Sequence, residues 1–137
     1  GHGRSSPASR AGRLMILVDS SVWIGHLRST DEQLMRLLES GQVLTHPSII
    51  GELAVGHLAD RTVFLTWLGS LQASLVASHE EILALIENNF LFGRGIGYLD
   101  AEILASVRLT TGSRLWTKDR RLLEAARDLD ALAYLEN

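Results

Sequence analysis

Four carboxylates stand at places where a chain of alternating strands and helices would gather them. Asp19 closes the apolar run Met15–Val18 and is followed by Ser20 and Ser21. Glu52 lies in the first turns of a helical pattern that opens at Ser48 and carries Ile49, Ile50, Leu53 and Ala54. Asp100 heads a stripe in which Ile103, Leu104 and Val107 follow at helical spacing, an odd place for an unpartnered charge. Asp119 follows the run Arg114–Thr117 and precedes another helical pattern. In a parallel βα sheet, strand ends and the helix starts behind them share one rim, the C-terminal edge. Two carboxylates ~5 Å apart repel by ~3 kcal/mol at an effective dielectric of 20. Four together must raise one another's pKa or hold a cation. The chain has no cysteine, and its histidines share no ligand spacing, so none is given a role. The implied cation is therefore hard, Mg²⁺ or Mn²⁺, with oxygen ligands that include water. Such an ion suits phosphate chemistry: it activates water, orients a phosphodiester and neutralises the leaving oxygen. Ser21 and Thr117 are placed to bond metal waters or to hold a carboxylate. Each of these residues also has a plainer reading. Asp19 and Asp119 serve as helix N-caps, Glu52 and Asp100 complement a helix dipole, and the two hydroxyls are ordinary strand ends. Glu102 lies about 200° round its helix from Asp100 and is expected to face solvent.

The elements that must position these side chains are short. Met15–Val18 reads as a buried strand, 22–28 as a helix with Trp23, Ile24 and Leu27 inward. Thr30 and Gln33 have capping-box spacing before a second helix, which Gly41 ends. A strand at 43–45 stops at Pro47, and the helix bearing Glu52 follows. An amphipathic helix at 62–71, a strand at 75–77 and a capping box at Ser78 and Glu81 come next. Three alternate glycines in 92–98 follow a helix rather than a strand, and their spacing is wrong for a dinucleotide fingerprint, so a flexible loop is expected. A helix at 98–111 stops at Gly112. A strand at 114–117, a helix at 120–126 and a short strand at 133–135 complete an α/β pattern.

With 137 residues, 46% of them hydrophobic and 21% charged, the chain suits one domain with a proper core. No apolar run approaches the roughly 20 residues that span a bilayer, and the lack of cysteine fits a reducing cytoplasm. Residues 1–14 are small, polar and basic without apolar period, and read as a leader or disordered extension, with Met15 as the expected natural start. Removing their three arginines from 13 basic residues leaves 10 against 16 acidic ones, a net charge of −6. Such a body does not hold nucleic acid by charge alone.

Four stretches, taken in order, resemble the PIN-domain ribonucleases, and among them the VapC-type toxins of bacterial toxin–antitoxin pairs. They are Ile16–Ile24 with Asp19 and Trp23, Pro47–Leu53 with Glu52, Gly95–Ala105 with Asp100, and Leu115–Asp119. Ser20 stands where threonine is common, which keeps the hydroxyl. The resemblance spans 15–137 and implies a three-layer α/β/α fold with a central parallel sheet of four to five strands in order 3-2-1-4-5. Strands one and four are then neighbours, which brings Asp19 to Asp119. It also implies a Mg²⁺- or Mn²⁺-dependent endoribonuclease, with Asp19, Asp100 and Asp119 as metal ligands and Glu52 completing the catalytic acids. It further implies a VapB-type antitoxin partner whose tail lies across the cleft, and a homodimer. Trp23, Leu27, Leu34 and Leu38 are candidates to receive that tail, or else core residues. Arg94, Arg114, Lys118 and Arg120, with Arg121 beside them, are the expected guides for RNA phosphates; as a bland alternative they form a solvated helix start. Two other readings compete. One is a non-catalytic PIN-like module that binds a partner. The other, a phosphatase with a phospho-aspartate at Asp19, is disfavoured because Ser21 occupies the place of its second aspartate.

Overall fold

The structure, a computed structural model, describes residues 12–135. The leader read at 1–14 thus lies almost wholly outside the described residues. Its last two residues touch the body: Arg13 donates to the Ser40 carbonyl, and Gln42 Nε2 donates to the Leu14 carbonyl at 2.9 Å.

The described chain builds three strands and seven helices. In order they are β1 (Met15–Val18), α1 (Ser20–Arg28), α2 (Glu32–Glu39), β2 (Val43–Leu44), α3 (Pro47–Ala54), α4 (Arg61–Gly69), α5 (His79–Asn88), α6 (Tyr98–Leu109), β3 (Ser113–Trp116) and α7 (Arg120–Asp128). All pairing is parallel, in the order β2-β1-β3. Successive strand residues point to opposite faces, yet all four residues of β1 are buried, so helices cover this central strand on both sides. The register sets Val18 opposite Trp116 and Leu17 opposite Leu44. β1 and β3 therefore end level, with β2 one residue short of them, and residues 19, 46 and 117 stand side by side on one rim.

Among the described residues the sheet has three strands, short of the four to five expected in order 3-2-1-4-5. At each edge a single parallel bridge forms instead, Thr45 with Ala73 and Leu115 with Ala133. The strand expected at 75–77 is absent because its backbone donors find side chains rather than a neighbouring strand. Leu75 N–H bonds Thr110 Oγ1 at 3.0 Å, and Ala77 N–H bonds Ser106 Oγ at 3.1 Å. At the other edge, Leu115 N–H bonds the Leu132 carbonyl and Tyr134 N–H bonds the Leu115 carbonyl, and the expected strand at 133–135 goes no further.

Helix starts follow local chemistry. Ser78 and Glu81 form the expected reciprocal capping box. The box expected at Thr30 and Gln33 does not form: Asp31 caps α2 by accepting from Leu34 N–H at 3.0 Å, and Gln33 turns to Tyr134 and Arg36. Gly41 and Gly112 end α2 and α6 with φ of 69° and 77°, a region where a Cβ is strained. Trp23 and Leu34 are fully buried, which removes them from any docking surface, while Leu27 stays 48% exposed. Trp23 is the hub of an aromatic group, edge-on to Trp67 at 5.8 Å and to Phe64 at 6.1 Å, and so ties α1 to α4. No described helix is long and apolar enough to cross a membrane.

Candidate active site

Asp19 is the most constrained acid of the rim. It is only 6% exposed, and its backbone N–H continues the sheet by bonding the Trp116 carbonyl at 2.9 Å. Because β1 and β3 end in register, Thr117 stands beside it and donates from Oγ1 to Asp19 Oδ2 at 2.8 Å. Ser21 Oγ donates to the same oxygen at 2.7 Å, and Ser21 N–H approaches it at 3.4 Å, the capping bond of α1. Among the described residues every side-chain bond to Asp19 falls on Oδ2. The cap and the candidate site are thus one arrangement: Oδ2 is fixed by hydroxyls, and Oδ1 takes no side-chain bond from the described residues. The hydroxyls are fixed in turn, since Lys118 N–H donates to Ser21 Oγ at 2.9 Å and Asp119 N–H to Thr117 Oγ1 at 3.0 Å.

Glu52 and Asp100 reach the same neighbourhood from helices. Glu52 stands on α3 at the side of a groove, with part of its surface in solvent. Loss of water around it, and then the negative charges of Asp19 and Asp100, push its carboxyl above the usual carboxylate range. Asp100 sits in the first turn of α6 and accepts from Gly97 N–H at 3.2 Å. Burial pushes Asp100 up, the Gly97 bond pulls it down, and the charges of Asp19 and Asp119 push it up again. Asp119 is exposed and caps α7, with Oδ1 accepting from Leu122 N–H at 3.1 Å. The four acids therefore feel one another's charge along a chain from Glu52 through Asp19 and Asp100 to Asp119. Among the described residues, no group of three or more acidic or histidine side chains forms a ready-made metal cage. The donor set is all oxygen, and Asp19 Oδ1 is free of hydrogen-bond donors among the described residues. Those two features fit an ion that keeps several of its waters, as Mg²⁺ does.

The basic candidates are all engaged within the chain. Arg94 pairs with Asp128 at 2.8 Å, Lys118 with Asp31 at 3.7 Å and Arg120 with Glu124 at 3.8 Å. Arg114 donates to the Ala131 carbonyl. Arg121 lies over Gly95 of the glycine loop. The three ion pairs sit at or near the surface, so each is worth at most about 1 kcal/mol. Glu102, expected to face solvent, is half-buried and accepts from Ser48 Oγ.

Beside Glu52 opens an apolar groove of about 920 Å³ between α1, α3 and α4. Ile24, Leu27, Val63 and Trp67 line it and remain 43%, 48%, 72% and 41% exposed. Leu38, the last of the docking candidates, packs against the core instead. His46, which has no role expected from the sequence, is buried and caps α3. The signal was present: a polar side chain directly before Pro47, a residue favoured at the first helical position.

This chain is 48% identical, over 111 residues, to Ribonuclease VapC32 of Mycobacterium tuberculosis, in both the CDC 1551 / Oshkosh and H37Rv strains. The match covers 81% of this chain and 90% of that protein. Among solved structures, PAE2754 from Pyrobaculum aerophilum superposes with a TM-score of 0.54 at 20% identity, covering 82% of this chain and 79% of that one, a likeness of fold. No family model matches the chain.

Proposed function

Because this chain belongs to the VapC-type PIN ribonucleases, we propose that it is the endoribonuclease toxin of a toxin–antitoxin pair, working through Asp19, Glu52, Asp100 and Asp119. The observation that carries this reading is the double clamp of Ser21 and Thr117 on Asp19 Oδ2, with Glu52 and Asp100 electrostatically coupled to the same carboxylate. A structural cap alone has no need of that coupling, which raises the charging cost of two acids.

Asp19, Asp100 and Asp119 would hold a Mg²⁺ or Mn²⁺ ion, with Ser21 and Thr117 orienting Asp19. When bound, the ion neutralises charge on the phosphodiester and lowers the pKa of water. Glu52 takes the proton of the attacking water, for which a carboxyl pushed upward is better suited than an ordinary one. A P–O bond forms to the water oxygen, and the bond to the leaving oxygen breaks. Lys118, beside Thr117, and Arg94, Arg114 and Arg120 exchange their internal partners for RNA phosphates.

The proposed partner is a VapB-type antitoxin, whose apolar segment suits the groove lined by Ile24, Leu27, Val63 and Trp67. Glu52, at the side of that groove, gives a basic antitoxin residue a place to neutralise the acids. The homodimer rests on the family resemblance. The test is cleavage of RNA with Mg²⁺ or Mn²⁺. Activity should vanish with EDTA and in Asp19→Asn, with circular dichroism unchanged. Cleavage that survives both overturns the reading.

A further inference from the structure

The helices that deliver Glu52 and Asp100 are joined by a buried histidine. His46 and Ser106 are both fully buried. His46 Nδ1 accepts from Ser48 N–H at 3.0 Å, which caps α3, and Nε2 lies 3.0 Å from Ser106 Oγ in the middle of α6. A backbone N–H can only donate, so Nδ1 carries the lone pair and the ring proton sits on Nε2. Nε2–H therefore donates to Ser106 Oγ, which also accepts from Ala77 N–H at 3.1 Å and so uses both lone pairs. A second pin lies beside it, where Ser48 Oγ donates to Glu102 Oε1. Burial lowers the pKa of His46, against the opposing pull of the Glu102 charge, which keeps the ring neutral and the tautomer single.

The bridge has matched arms. Glu52 lies six residues beyond His46, and Asp100 six residues before Ser106. At 1.5 Å of rise per residue, each carboxylate stands about 9 Å along its helix from the pin. A small tilt at the pin therefore moves one acid against the other, and about 1 Å of misplacement in a site can cost on the order of 100-fold in rate. We infer that His46 is a positioning residue, which sets Glu52 on α3 against Asp100 on α6 through its bond to Ser106. This rests on the assignment of those two acids to the active site.

Two substitutions separate the roles of the ring. His46→Asn keeps an acceptor where Nδ1 was, and so keeps the cap, but is too short to reach Ser106. His46→Gln reaches toward Ser106 and gives up the cap. The expected result is that kcat for RNA cleavage falls about 10- to 100-fold in His46→Asn with KM within about twofold. His46→Gln should recover part of that kcat while melting below His46→Asn, so that activity and stability rank the two variants in opposite orders. Should both variants unfold, Ser106→Ala, which leaves the α3 cap in place, should show the same kcat loss. In the metal-free wild type, ring ¹⁵N shifts should report the Nε2–H tautomer. Wild-type kcat in a folded His46→Asn or Ser106→Ala, activity that simply follows stability, or an Nδ1–H ring overturns the inference. In the same assay, a wild type that cleaves and an Asp19→Asn that does not keep the proposed function intact whatever His46 does.

Discussion

The junctions β1–α1 and β3–α7 are built from the same parts, an apolar strand, hydroxyls, an aspartate and a helix, yet they treat the aspartate differently. Asp19 follows its strand directly, is almost fully buried, and receives two side-chain hydroxyls on one oxygen. Asp119 comes later after its strand, is exposed, and among the described residues its carboxylate accepts a bond from the backbone N–H of Leu122 alone. The register explains the difference. Val18 stands opposite Trp116, so the place facing Asp19 falls to Thr117, and Asp119 has already stepped into the helix cap. Whether a carboxylate becomes a clamped, buried group or a surface cap is decided here by two positions along the chain.

The largest effect should come from Asp19→Asn. It should lower RNA cleavage by at least about 100-fold, the scale of losing a group that acts in the transition state. Thr117→Val should follow. It removes one hydroxyl from a buried carboxylate and should cost about 1–3 kcal/mol in denaturant melts, with roughly 10-fold in rate. Asp119→Asn should leave stability within about 0.5 kcal/mol, because asparagine caps as well as aspartate, and should cost less rate than Asp19→Asn. Equal losses at the two aspartates would erase the distinction between the junctions.

The smallest effect concerns pH. Glu52 and Asp100 hold their protons more tightly folded than unfolded, so the folded state binds more protons and stability falls as pH rises through their raised values. Their favourable contribution is complete only below the ordinary carboxylate range. Asp100→Asn keeps an acceptor for Gly97 N–H and removes the charge. It should raise Tm at pH 7 by about 2 °C, with the gain shrinking toward pH 4 in thermal melts. A divalent ion should raise the wild-type Tm more than that of Asp100→Asn.

What could be read in the sequence was local. β1 and its terminal Asp19, the Ser78–Glu81 box and the glycine stops at 41 and 112 are written within a few residues of where they act. The edge of the sheet was not, because the donors of Leu75 and Ala77 are taken by hydroxyls on α6, some thirty residues away. The start of α2 slipped by one residue because Asp31 is a capping side chain as good as Thr30 and its own N–H bonds His26 Nδ1 at 3.0 Å. Trp23 and Leu34 could be read as core or as docking residues, and the packing of α4 and the core makes both interior, whereas Ile24 and Leu27, expected inward with Trp23, stay 43% and 48% exposed. The candidate acids were legible because each sits at a boundary between elements. Their mutual coupling depends on which strands are neighbours, and no single stretch of sequence encodes that.

The bond from Thr117 to Asp19 spans 98 residues of chain. Synthesis runs from the N-terminus, so β1 leaves the ribosome long before the strand that must lie beside it. Until β3 emerges, Asp19 has β2 near it but lacks β3 and the Thr117 hydroxyl. The pairing that fixes Asp19 therefore cannot form until the strand leading to Thr117 has left the ribosome.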